Sequence, residues 1–135
     1  MAKKRIMVVD DSRSIVRAVE LLLEAEGFEV IPAFNGKECL EKLEKEKPDL
    51  ILLDIMMPGI DGREVCKRIK KVNKDVKVMF LTGVGVVKSS GLSALFQKFH
   101  KEISKEIGAV DYITKPFDNE DLIRRVKRAL RVRGN

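Results

Sequence analysis

Short apolar runs alternate with stretches of helical period along nearly the whole chain. Arg5-Ile6-Met7-Val8-Val9 is a continuous apolar run that leads into Asp10-Asp11-Ser12, which predicts a buried strand followed by helix-capping chemistry. Ile15, Ala18, Val19, Leu22 and Leu23 then fall on one helical face, and Gly27 supplies a stop. Residues 28–31 predict a second strand closed by Pro32, and residues 36–45 a helix with Leu40 and Leu43 inward, ended at Lys47-Pro48. Residues 49–54 form the third and most apolar strand. Met57-Pro58-Gly59 and Asp61-Gly62 mark a loop. A helix over 63–71 carries Val65, Cys66 and Ile69, and residues 76–81 and 112–114 predict the fourth and fifth strands. The last helix is capped by Asp118 and turns Leu122, Ile123, Val126 and Leu130 to one side.

Five strands alternating with five helices require right-handed crossovers, hence a parallel sheet covered on both faces: a doubly wound α/β fold in one domain spanning 1–135. In such folds ligands sit beyond the carboxyl ends of the strands, where the strand order reverses. The interval between the fourth and fifth strands exceeds a mean helix of about 11–12 residues plus two connections of about 2–6. The fourth-helix region is therefore lengthened, with an insertion within 84–108. Leu92, Leu95, Phe96, Phe99, Ile103 and Ile107 repeat there at helical spacing. That stripe is expected to outrun the sheet it covers and to offer a surface for a partner or a second copy.

Composition narrows the function classes. The 135 residues are 44% hydrophobic but only 5% aromatic, without Trp, so the core must be aliphatic. The apolar run near the N-terminus is shorter than the roughly 7–15 residues of a signal peptide and the roughly 20 of a membrane span, so a cytoplasmic location is expected. Two cysteines, Cys39 and Cys66, make neither a disulfide framework nor a metal set, and the lone His100 excludes a histidine-based centre. The net charge of +6 raises nucleic acid as a partner.

The polar residues that interrupt the apolar pattern gather at strand ends. Asp10 and Asp11 end the first strand, Asp54 the third, Thr82 the fourth and Lys115 the fifth. Carboxylates about 5 Å apart at an effective dielectric near 20 repel by roughly 3 kcal/mol per pair before screening. A hard divalent cation relieves this, and carboxylates, a carbonyl and waters are the ligands Mg²⁺ prefers. An ammonium beside them can bind the oxygens of an incoming phosphoryl group, and a carboxylate can act as nucleophile.

Val8-Val9-Asp10-Asp11, Leu52-Leu53-Asp54-Ile55-Met56-Met57-Pro58-Gly59-Ile60-Asp61-Gly62, Leu81-Thr82-Gly83 and Tyr112-Ile113-Thr114-Lys115-Pro116-Phe117 closely resemble receiver domains of two-component response regulators, over about residues 4–132. The resemblance implies the flavodoxin-like strand order 2-1-3-4-5, which is that of the chemotaxis receiver. It also implies that Asp54 is phosphorylated and that Mg²⁺ is held by Asp11, Asp54 and the carbonyl of Met56, with Asp10 acting largely through water. Lys115 would contact the phosphoryl group and, beforehand, the Asp54 carboxylate, through a cis bond to Pro116. Thr82 would hydrogen-bond the phosphoryl group while Tyr112 turns inward, a switch read on the face of the fourth helix, fifth strand and fifth helix. The implied partners are a sensor histidine kinase or phosphotransfer protein and an output protein. The expectation is a stand-alone receiver, not an enzyme.

Three rivals differ in class. A DNA-associated regulator would use Arg124, Arg125, Lys127, Arg128, Arg131 and Arg133 of the last helix. No helix-turn-helix pattern remains once the receiver pattern is used up, so no nucleic-acid partner is expected. An aspartyl-phosphate phosphatase would place nucleophile and second acid one residue apart on the first strand, whereas Asp10 and Asp11 are adjacent. A phosphorelay intermediate or phosphate sink shares every site residue, and the sequence does not separate it from a signalling output.

Overall fold

A computed structural model describes residues 3–55, 62–83 and 108–131, with the backbone alone at 63, 82 and 83. In chain order the elements are β1 (Arg5–Val9), α1 (Arg13–Ala25), β2 (Glu29–Ala33), α2 (Gly36–Glu46), β3 (Leu50–Asp54), α3 (Gly62–Val72), β4 (Lys77–Gly83), β5 (Asp111–Lys115) and α4 (Asn119–Ala129). The strands pair in parallel in the order β2-β1-β3-β4-β5. The lengthened fourth-helix region inferred within 84–108, with its apolar stripe, lies outside the described residues apart from Gly108. Four helices lie among the described residues.

Successive strand residues point to opposite faces, and both faces are apolar. Met7, Val9, Ile51, Leu53, Val78 and Phe80 pack against Cys39 and Leu43 of α2 and Val65, Cys66 and Ile69 of α3. Ile6, Val8, Leu50, Leu52, Met79 and Leu81 pack against Val16, Val19 and Leu23 of α1 and Leu122 and Val126 of α4. With helices on both faces, β1 and β3 have no solvent side, which accounts for their unbroken apolar runs.

Three local expectations are corrected. β2 does not close at Pro32 but runs through it to Ala33, with Pro32 opposite Val8. An edge strand tolerates a residue without an N–H, because one side of its ladder has no strand to donate to. In α1 the buried residues are Val16, Val19 and Leu23, whereas Ala18 is exposed and Ile15 and Leu22 are partly buried. Turning Val16 inward removes more apolar area from water than turning Ala18 inward. In α4, Ile123 is only half-buried, and Leu122 and Val126 carry the contact.

Both cysteines are fully buried, as free cysteines usually are. Burial pushes the Cys39 thiol up to about 12 and the Cys66 thiol to about 11, from an ordinary 9.0. The folded state holds both protons more tightly than the unfolded chain. This contribution to stability is therefore present below pH 9.0 and is lost as pH rises through about 11 to 12. At about pH 8 a disulfide reagent should leave both thiols unmodified in the native protein and label both in denaturant. Rapid native labelling would show that α2 and α3 open readily.

Candidate functional site

The register of β1 against β3 places Val9 opposite Leu53, so Asp10 and Asp54 leave neighbouring strands side by side. Their strands meet where the order reverses, with β2 on one flank of β1 and β3 on the other. The Asp10 N–H donates to the Ala33 carbonyl at 3.1 Å, which extends the β1–β2 ladder to the acidic residue itself. Asp10 is 0% exposed and Asp54 3%, whereas Asp11, one residue further out, is exposed. One carboxylate oxygen from each of the three lies within 4.8 Å of the others.

Lys115, the last residue of β5, reaches this cluster. Its Nζ lies 2.5 Å from Asp10 Oδ2 and 3.5 Å from Asp54 Oδ2. The resemblance assigned the lysine to Asp54; in the structure Asp10 is the nearer partner. Asp10 also accepts the Ser12 N–H at 2.9 Å on its other oxygen, so this fully buried carboxylate has the cation and the hydrogen bond that such a group requires. Ser12 meanwhile caps α1 by accepting the Ile15 N–H. Three carboxylates still face one ammonium. A pair 4.8 Å apart repels by about 3 kcal/mol at an effective dielectric of 20, before screening. All the donors in the cluster are hard oxygens, the set that suits Mg²⁺ or Ca²⁺ rather than a thiolate- or imidazole-seeking metal.

Of the other residues singled out from the sequence, Thr82 lies near the end of β4, paired in register with Thr114 of β5. Met56 lies outside the described residues. Tyr112 is half-buried and packs against the core on the α2–α3 side of the sheet. The Lys115–Pro116 bond is cis.

Sequence reasoning missed two features beside the site. The Arg13 guanidinium lies 4.3 Å from the centroid of the Phe34 ring, which follows the strand residue bonded to Asp10. Gly62, read as a loop marker, is the first residue of α3 and touches the end of β3. An aromatic after the second strand was a visible signal for the first. No signal in one sequence points to the second.

The basic last helix also reads differently once folded. Arg125 donates to Asp111 at 2.8 Å, to Asp121 at 3.0 Å and to the Tyr112 carbonyl at 3.1 Å, while Arg128 reaches Asp111 at 3.2 Å. Lys127 pairs with Glu26 at 2.8 Å. Much of this charge fastens α4 to β5 and α1. The same β5–α4 surface borders a cavity of about 490 Å³ lined by Tyr112, Phe117, Asp121 and Arg125 among others.

The response regulator receiver domain family matches residues 6–127, and the chain belongs to that family. It is 43% identical over 128 residues to the alkaline phosphatase synthesis transcriptional regulatory protein PhoP of Bacillus subtilis, covering 95% of this chain but 49% of that protein. The chain thus spans about half the length of this relative. Among solved structures it is similar to a CheY-like receiver domain protein from Methanospirillum hungatei, with TM-score 0.81, 32% identity, and 96% and 95% of the two chains covered. It is also similar to chemotaxis protein CheY4 of Vibrio cholerae, with TM-score 0.79, 29% identity, and 95% and 99% covered. No helix among the described residues is long and apolar enough to cross a membrane.

Proposed function

We propose that the chain is a phosphorylation-switched receiver in which Asp54 accepts a phosphoryl group from a histidine kinase, a phosphotransfer protein or a small acyl phosphate. The observation that carries this reading is the convergence of Asp10, Asp11 and Asp54 within 4.8 Å, with the Lys115 ammonium in ion-pair range of two of them. A carboxylate oxygen of Asp54 attacks phosphorus, the donor's bond to phosphorus breaks, and an acyl phosphate forms on Asp54. Asp10 holds Lys115 at the site, where the ammonium faces the transferred oxygens. Thr82, near the end of β4, is assigned the hydrogen bond to the phosphoryl group. Asp10, Asp11 and Asp54, with the Met56 carbonyl, would hold Mg²⁺, which supplies the positive charge that offsets charge on the phosphoryl oxygens.

The switched state is read on the face of the fourth-helix region, β5 and α4, where Tyr112 and the Asp111–Arg125 pair lie. Output passes to a partner protein in the cytoplasm, and the chain turns over no external substrate as an enzyme. The Bacillus subtilis relative, of which this chain covers 49%, favours one second reading: output through a further domain of the same polypeptide. The test is incubation with acetyl phosphate. One phosphoryl group should be taken up per chain with Mg²⁺ present and none with chelator; uptake indifferent to the metal would count against the proposed site.

A further inference from the structure

The end of β3 is held from two sides. The Ile55 N–H donates to the Leu81 carbonyl of β4 at 3.1 Å, and the Ile55 carbonyl accepts the Gly62 N–H at 3.2 Å. The second bond requires an unusual approach of backbone to backbone. A Cβ on Gly62 would stand 2.6 Å from the Asp54 carbonyl oxygen and 2.7 Å from the Ile55 Cα. Both are main-chain atoms, so neither can swing aside as the tip of a side chain would. The Asp54 carboxylate is carried on that same backbone.

We propose that Gly62 is a positioning residue for Asp54: its bare α-carbon lets the first turn of α3 seat against the β3 end and fix where the carboxylate stands. The inference rests on Asp54 being the phosphoryl acceptor. Gly62 touches no reacting atom, and its effect passes entirely through the backbone of residues 54 and 55. A methyl group there must move either α3 or the β3 end, and a misplacement of about 1 Å can cost on the order of 100-fold in rate.

The test compares Gly62→Ala with Leu23→Ala, a cavity change in the α1–α4 core that lowers stability on the sheet face opposite α3. Melting temperature, Mg²⁺ affinity by titration calorimetry, and labelling rate with acetyl phosphate are read on each, well below its own melting point. Gly62→Ala should lose at least about tenfold in both Mg²⁺ affinity and labelling rate. Leu23→Ala should melt earlier yet stay within about twofold of the unmodified chain in both, as distant sites usually behave. Should Gly62→Ala be unfolded in buffer, it is measured in a stabilising osmolyte such as trimethylamine N-oxide. Wild-type affinity and rate in the folded Gly62→Ala protein would overturn the proposal. So would failure to fold even in osmolyte, since the glycine would then serve the fold as a whole. An unmodified chain that neither binds Mg²⁺ nor takes label would overturn the receiver chemistry itself, an outcome distinct from either.

Discussion

Lys115→Met is expected to lower stability by about 3 kcal/mol in the absence of divalent metal, the scale for removing one partner of a buried ion pair. Asp10 is 0% exposed, and its two identified partners are the Lys115 ammonium at 2.5 Å and the Ser12 N–H at 2.9 Å. Without the lysine the cluster of three carboxylates keeps its mutual repulsion and loses its cation. Millimolar Mg²⁺ should return much of the loss, because it binds the folded site and not the dispersed chain. Thermal melts of both proteins with and without Mg²⁺ measure this. A variant as stable as the parent would mean that the Asp10–Lys115 contact does little for the fold.

Asp54→Asn should have the opposite sign. Replacing one of three clustered carboxylates by an isosteric amide relieves a repulsion of about 3 kcal/mol per close pair, partly offset by the lost attraction to Lys115 3.5 Å away. A net gain of about 1 kcal/mol would raise the metal-free melting temperature by roughly 4 °C for a domain this size. Mg²⁺ should then stabilise the variant much less than the parent. Asp11→Ala should behave likewise, whereas Asp10→Ala should not, because it also removes the anchor of Lys115. An Asp54→Asn protein that melts lower and still responds fully to Mg²⁺ would contradict the cluster as a metal site.

The fold was legible because β1 and β3 are buried on both faces, so their apolar runs are unbroken and the first polar residue marks each strand's end. That rule located Asp10 and Asp54, Lys115 followed from the end of the predicted fifth strand, and the parallel sheet brings all three together. Details set by packing were not legible. Val16 and Ala18 are both apolar, and only contact with the sheet decides which one turns inward. Pro32 looked like a strand terminator because the local pattern, unlike the strand order that the resemblance implies, does not reveal that β2 is an edge. The choice of Asp10 over Asp54 by Lys115 depends on differences of about an ångström. Gly62 was invisible for a related reason: its close approach is to the backbone of residues 54 and 55, which no periodicity encodes. The ion pairs of the basic α4 were not legible because its acidic partners Asp111 and Glu26 come from other parts of the chain.

Where the phosphoryl group goes decides whether Asp54 is the acceptor. Protein labelled with acetyl phosphate and Mg²⁺ can be mapped by peptide mass spectrometry, with hydroxylamine used to test for an acyl phosphate. The expected result is a single hydroxylamine-labile group on the peptide carrying Asp54, absent from Asp54→Asn. A stable label, or a full label on another residue of the Asp54→Asn protein, would contradict it.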